Sequence, residues 1–95
     1  MKKILTLSTA LGALALPAAA DDITVMGWGG AYANSHIEAY FKPFEAATGN
    51  KVISVDSDNP ATPLKAQVEA NNVTMDIAVL EIADAVRLCD EGLII

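Results

Sequence analysis

The stretch ITVMGWGGAY, residues Ile23–Tyr32, joins a strand-like segment to a turn that is rich in glycine. Its first half carries β-branched residues, which are typical of strands. Trp28 then stands between Gly27 and the pair Gly29 and Gly30. Two consecutive glycines let the backbone turn sharply and let another molecule approach the main chain closely. The stretch therefore predicts a strand, an open aromatic turn and the start of a helix.

The residues before this stretch have the features of a secretory signal peptide. Two lysines follow the initiator methionine, the run ILTLSTALGALAL is apolar, and three alanines before Asp21 supply a cleavage site. An N-terminal membrane anchor is the alternative, but it requires roughly 20 apolar residues. We therefore predict a signal peptide over residues 1–20, a mature chain over residues 21–95 and export to the periplasm.

The charge of the mature chain narrows the classes of partner. Six basic and twelve acidic residues give the whole sequence a net charge of −6. Two of the basic residues lie in the predicted signal peptide, so the mature chain carries a net charge of −8. Nucleic acid and anionic membranes are unfavourable partners, because their phosphates repel such a chain. The acidity is compatible with a cationic ligand, although an acidic surface more often serves solubility alone.

Three strand–helix units follow one another along the mature chain. We expect strands at 23–28, 51–56 and 76–80, the last of them buried on both faces, and helices at about 34–48, from 60–63 to about 71, and at 81–91. Alternating strands and helices predict an α/β fold with a parallel sheet and flanking helices. Right-handed crossovers and the strand order 2-1-3 would place the first two helices on opposite faces. All three strands would then end at one edge.

Apolar residues at helical spacing predict which faces of the helices are buried. Ser35 with Glu38 fits a capping box for the first helix, although this helix could begin a turn earlier. We expect a kink or one lost hydrogen bond at Pro43 and an end at Gly49. The residues expected to face inward are Ile37, Tyr40, Phe41 and Phe44 in the first helix, Leu64 and Val68 in the second, and Ile82, Val86 and Cys89 in the third.

The candidate ligand-binding residues follow the carboxyl ends of the strands, where open α/β sheets bind their ligands. Trp28 and Tyr32 would form aromatic walls suited to apolar chains or cations, although Trp28 could instead be a hydrophobic plug. Glu81 could contact a ligand or serve the helix dipole. Ser57 and Asp58 could contact a ligand amine, with a solvated turn as the alternative. The full set of candidates is Trp28, Gly29, Gly30, Tyr32, Ser57, Asp58 and Glu81.

The remaining reactive residues do not form a catalytic or metal-binding pattern. His36 is the only histidine, and it is expected to be an ordinary surface residue. No nucleophile–base pair is apparent, and the dinucleotide-binding motif that would start at Gly27 fails at Tyr32. Cys89 is either a buried thiol or the partner of a cysteine in another segment. The sequence therefore predicts a protein that is not an enzyme and that uses no metal and no cofactor.

Taken together, GWGGAY, YFKPFEAATGNKV and QVEANNVTMDIAVLEIADAVRLCDEGL resemble the periplasmic solute-binding proteins of ABC importers, most closely the spermidine/putrescine-binding branch. The resemblance covers residues 22–95. It implies a two-lobed α/β protein that captures a small solute, such as a polyamine, and delivers it to an inner-membrane ABC permease. Gly29 and Gly30 depart from the more polar residues that polyamine-binding proteins have in this turn, which leaves the ligand open.

The mature chain is too short to form both lobes of such a protein. Two lobes of ordinary size require on the order of 250–300 residues. We therefore expect residues 21–95 to be the N-terminal part of the first lobe, with weak binding or none when isolated. The alternative is a small exported α/β interaction module whose exposed sheet edge and terminal apolar residues bind a partner.

Overall fold

A three-stranded parallel sheet forms the centre of the computed structural model, which describes residues 21–95. The strands are β1 (Asp22–Gly27), β2 (Lys51–Asp56) and β3 (Ile77–Ala78), in the order β2-β1-β3. The predicted α/β class, parallel pairing and strand order are therefore confirmed. The predicted signal peptide lies outside the described residues.

Four α-helices and one π-helical segment connect and follow these strands in the described part of the chain. Between β1 and β2 the chain forms α1 (Gly30–His36), a π segment (Ile37–Phe41) and α2 (Lys42–Thr48). The remaining helices are α3 (Ala61–Glu69), between β2 and β3, and α4 (Ile82–Asp90), after β3.

The connecting helices lie on opposite faces of the sheet, as the right-handed crossovers predict. Val25 and Met26 are adjacent on β1 and point to opposite faces. Val25 lines an apolar cavity with Phe41 and Phe44, on the face of α1 and α2. Met26 belongs to the core cluster that includes Leu64 of α3 and Leu88 of α4. The larger buried cluster is therefore the one beneath α3 and α4.

The first helix begins at Gly30, about one turn before residue 34, which is the earlier start that the sequence allows. Gly30 has a φ of +66°, a left-handed conformation that glycine adopts without strain, and it starts α1 directly after the turn. Ser35 lies inside α1, where its hydroxyl donates to the carbonyl of Tyr32, so the predicted capping box is wrong. Gly49 ends α2 with a φ of +75°, as expected.

The predicted kink at Pro43 takes the form of a local change in helix type. The chain widens into the π segment, and the N–H of Lys42 donates to the carbonyl of Ile37, five residues earlier. Pro43 then occupies the first turn of α2, where a missing N–H is tolerated. In the predicted stripe only Ile37 and Phe41 are half-buried, while Tyr40 is 64% exposed and Phe44 is also exposed.

The predicted inward face of α4 is wrong, although its predicted range is close. Ile82 and Val86 are 84% and 56% exposed, and Cys89 is also exposed. Leu88 is completely buried instead. The helix is rotated so that Leu88 points at the core, and the chain then turns back and packs Leu93 against the same cluster. In α3, the helix between β2 and β3, Leu64 is buried and Val68 is half-buried, as expected.

β3 is shorter and more open than predicted. Its pairing with β1 is extended by the N–H of Asp76, which donates to Thr24, and by that of Val79, which donates to Met26. Ile77 is 52% exposed, so the expectation of a strand buried on both faces is wrong. In the order β2-β1-β3 this strand is an edge, and residues 21–95 do not cover it completely.

Candidate functional site

A cleft of about 250 Å³ lies at the carboxyl edge of the sheet. It is bounded by the segments that follow each strand, because parallel strands bring their ends to one edge. Trp28 comes from the end of β1, Asp58 from the loop after β2, and Glu81 from the residue before α4. The structure thus brings together three of the seven candidate residues, at the place where strand order reverses. The cleft is lined by Trp28, Asp58, Asn59, Pro60, Ala61, Leu80, Glu81 and Asp84.

Trp28 is half-buried, with one side toward the cleft and another against Tyr32. The two ring centroids are 5.1 Å apart with an interplanar angle of 74°, an edge-on arrangement that aromatic pairs favour. The indole of Trp28 therefore contacts Tyr32 and also lines the cleft. Tyr32 does not line the cleft in this arrangement but supports the far side of the indole.

Gly29 is held beneath the carboxylate of Asp56. A Cβ atom at position 29 would lie only 2.9 Å from Oδ2 of Asp56. The absence of a side chain at Gly29 therefore leaves room for that carboxylate to fold over the turn. Asp56 ends β2 and pairs in register with Gly27, which explains why it reaches this position.

Two other candidates lie near the cleft without lining it. Gly30 faces open space, with no atom within 4 Å of the place a Cβ would take, and its role in the structure is to start α1. Ser57 is half-buried, and its backbone N–H donates to the carbonyl of Gly27, which ties the loop after β2 to the end of β1. These residues shape the rim through the backbone.

Asp84 is a cleft residue that the sequence analysis missed. It lies in the first turn of α4, three residues after Glu81, so both carboxylates face the same side of the helix start. This i, i+3 spacing after a strand end was the available signal. Asp58 and Glu81 are exposed and Asp84 is half-buried. The cleft therefore combines an indole with three acidic side chains.

An ion-pair network reaches the cleft from its outer side. Arg87 Nη2 donates to Asp84 Oδ1 at 3.0 Å, and Arg87 Nη1 lies 3.5 Å from Glu91 Oε1. The hydrogen bond to Asp84 raises the pKa of the Arg87 guanidinium, and the charge of Glu91 adds to this effect against an opposing contribution from desolvation. Lys65 of α3 also contacts Glu91 at 3.2 Å, which links the two helices. Among the three cleft carboxylates, Arg87 therefore contacts only that of Asp84 and partly offsets its charge.

His36 does not occupy the ordinary surface position that the sequence predicts. It is half-buried, and its ring is stacked on Tyr32 with centroids 4.2 Å apart and an interplanar angle of 29°. Tyr40 and Phe41 approach the same imidazole edge-on, at 5.4 and 6.4 Å. The i, i+4 spacing of Trp28, Tyr32, His36 and Tyr40 was a signal for this row of rings.

Metal-binding clusters and membrane-spanning helices are both absent from residues 21–95. No group of three or more histidine, cysteine, aspartate or glutamate side chains in that range has the geometry to hold a metal ion. None of the helices formed by those residues has the length and hydropathy that crossing a membrane requires.

The chain is similar to part of a known binding protein. The chain is 36% identical over 81 residues to the gamma-aminobutyric acid-binding protein of Pseudomonas aeruginosa. The match covers 85% of this chain and 23% of that protein, so the chain spans about a quarter of the length of its curated relative. No protein-family model matches the chain.

A solved structure has the same fold over most of the chain. It is a chain from the crystal structure of an ABC transporter of Rhodopseudomonas palustris, with a TM-score of 0.66 and 27% sequence identity. The similarity covers 74% of this chain and 21% of that one. One relative is a binding protein and the other comes from an ABC transporter, and each match covers between a fifth and a quarter of the larger protein.

Proposed function

We propose that this chain is the N-terminal part of one lobe of a periplasmic solute-binding protein that serves an ABC importer. The cleft around Trp28 would form one wall of its binding site. The observation that carries this proposal is the convergence of Trp28, Asp58 and Glu81 at the carboxyl edge of a sheet homologous to part of a binding protein. The role is non-enzymatic: the protein captures a solute and delivers it to a membrane permease.

The chemistry of the cleft fits the ammonium group of a small solute. An indole face attracts a cation through its quadrupole, by about 0.5–2 kcal/mol depending on desolvation. Asp58 and Glu81 place two exposed carboxylates around the same space, and neither forms a salt bridge within residues 21–95. The attraction between an ammonium ion and these carboxylates becomes stronger once the ligand displaces the water between them. An ammonium ion would therefore neutralise part of the acidic rim.

Two classes of solute carry such a group. γ-Aminobutyrate has an ammonium at one end and a carboxylate at the other, and it is the solute named for the Pseudomonas relative. Putrescine and spermidine have ammonium groups at both ends, and they are the solutes implied by the sequence resemblance. The acidic cleft accommodates one ammonium end of either class. We favour γ-aminobutyrate because the relative supports it, with polyamines as the competing class.

Tight binding requires more surface than this cleft provides. Ligand sites commonly enclose about 300–1,000 Å³ and bury most of the ligand. The cleft of about 250 Å³ is open on one side. A second lobe would close that side, so we expect the isolated chain to bind either solute weakly or not at all.

The proposal is tested by replacing the homologous segment of the Pseudomonas protein with residues 21–95 and titrating the chimera calorimetrically. γ-Aminobutyrate, putrescine and spermidine are compared as ligands. We expect saturable binding of an ammonium-bearing solute, weakened roughly tenfold or more by Trp28→Ala, which removes the cation–π contact. Phe44→Ala is the matched control, because Phe44 is an exposed aromatic residue outside the cleft and should leave the affinity unchanged.

The outcome identifies the solute class as well. Binding of γ-aminobutyrate alone would assign an amino-acid solute, and preferential binding of the diamine would assign a polyamine. A folded chimera that binds none of the three, or that binds equally well without Trp28, contradicts the proposal.

The second candidate function is an exported interaction module. An apolar groove of about 480 Å³ flanks the open edge of β3, and its lining includes Leu64, Ile77, Leu93 and Ile95. Such a groove would bind a partner segment. Sedimentation of residues 21–95 distinguishes the two functions: a monodisperse domain favours the module, and self-association of the folded chain through this uncovered groove favours the incomplete lobe.

A further inference from the structure

A continuous row of ring contacts runs from the cleft along α1 and the π segment. Trp28 lines the cleft and contacts Tyr32 edge-on, and Tyr32 is stacked on His36 one helical turn later. His36 in turn contacts Tyr40 and Phe41 in edge-on arrangements. Each ring is therefore held by the next, and the cleft wall is the outer end of this row.

The π segment explains why the row ends in two rings around the imidazole. A π turn closes its hydrogen bond over five residues instead of the four of an α-helix. The wider turn brings the residue at i+5 beside residue i, in addition to the residue at i+4. Tyr40 and Phe41, which stand at these two positions after His36, consequently both contact its ring. The imidazole is held by Tyr32 on one side and by these two rings on the other.

The middle of the row faces the sheet. A shallow pocket of about 10 Å³, with room for about one water molecule, lies between Tyr32, His36 and Phe41 on the helical side and Val25 and Val79 on the sheet side. Tyr32 also passes close to Gly27, where a Cβ atom would lie 3.8 Å from its Cε1. The half-buried Tyr32 ring is therefore stacked on His36 and lies close to the end of β1.

We propose that His36 is a positioning residue that fixes Tyr32, and through it the face that Trp28 presents to the cleft. The inference rests on the proposed function only in treating that face as part of a solute-binding wall. No hydrogen bond of the imidazole contributes to the arrangement among residues 21–95, so its planar ring is what holds Tyr32. A phenyl ring at this position should therefore substitute for it, whereas an aliphatic side chain of similar bulk should not.

The experiment uses the only tryptophan of the chain as its reporter. Near-ultraviolet circular dichroism and selectively excited emission of Trp28 are recorded for the chain and for His36→Ala, His36→Leu and His36→Phe. We expect the alanine and leucine variants roughly to halve the Trp28 dichroic band, since Tyr32 is released and the indole averages over orientations. The phenylalanine variant should restore most of the band.

His36→Leu keeps the test valid if His36→Ala does not fold, because leucine fills the space without providing a flat ring. Phe44→Ala is the matched control, since Phe44 lies on the same helical connection outside the row of rings. Far-ultraviolet circular dichroism confirms that the variants compared are folded. An unchanged Trp28 band in the leucine variant, or an equal loss in Phe44→Ala, would overturn the inference.

A calorimetric titration of the chimera with γ-aminobutyrate, with and without His36→Leu, separates this inference from the proposed function. If the Trp28 band of the chain depends on the ring at position 36 but the folded chimera does not bind the solute, then His36 positions Trp28 and the solute assignment fails. If the chimera binds the solute equally well with and without His36→Leu, then the solute site stands and the positioning role fails.

Discussion

Oδ2 of Asp56 lies 2.9 Å from the point that a Cβ atom would occupy at Gly29, so the carboxylate fills the place of a side chain in the turn after β1. The backbone at Gly29 is extended, with φ −74° and ψ −165°, and any residue can adopt it. The requirement for glycine at this position is therefore steric, and Asp56 is the group that imposes it.

Substitution of Gly29 should reveal this dependence. Gly29→Ala pushes the Asp56 carboxylate away and should lower the free energy of unfolding by about 1 kcal/mol. In an Asp56→Ala background the same change should be less destabilising, with a coupling of about 0.5 kcal/mol or more. Urea denaturation of the two single variants and the double variant measures the coupling. Additive effects would show that the two positions are independent.

Leu88 should dominate the stability of the described part of the chain. It is completely buried, and Leu→Ala changes at such sites cost about 2–5 kcal/mol. A domain of this size has roughly 3–5 kcal/mol in total, so Leu88→Ala should be largely unfolded at room temperature. Val86→Ala, on the exposed face of the same helix, is the control and should change stability by less than about 0.5 kcal/mol. Circular dichroism compares the two, and similar losses would contradict the orientation of α4.

Asp76 should contribute to stability as the residue that starts the pairing of β3. Its Oδ2 accepts the N–H of Thr24 at 2.8 Å, and its own N–H donates to the Thr24 carbonyl at 2.9 Å. Asp76→Ala removes the first bond and should cost about 1 kcal/mol. Asp76→Asn keeps an acceptor oxygen and should recover more than half of that loss in urea denaturation. Equal losses in both variants would mean that the negative charge matters and the hydrogen bond does not.

Cys89 should react with thiol reagents while the chain remains folded. It is exposed and free, although it follows the completely buried Leu88. We expect a disulfide-exchange reagent to label it at nearly the same rate in buffer and in urea, because folding does not shield it. Cys89→Ser should leave stability within about 0.5 kcal/mol. Protection of the thiol that disappears in urea would show that Cys89 is the buried residue of α4.

Local chemistry determined the architecture of this protein. Alternation of strand and helix patterns predicted the parallel sheet. With the order β2-β1-β3, right-handed crossovers then placed the connecting helices on opposite faces. Gly49 ended a helix where predicted, since a left-handed residue closes a helix and glycine adopts it freely. The positions of Trp28, Asp58 and Glu81 at one edge followed from the same rule, because parallel strands end together.

Tertiary structure alone decided the rotation of the helices and the contacts between rings. Two adjacent stripes of α4 are both apolar, and which of them faces inward depends on packing against distant residues such as Met26 and Leu93. The sequence predicted the stripe of Val86, and the fold buried Leu88. The placement of Asp84 in the cleft and of His36 beneath Tyr32 also depends on helix rotation and on the π segment. Periodicity gives the spacing of side chains along a helix, whereas the direction of the stripe is set by everything the helix packs against.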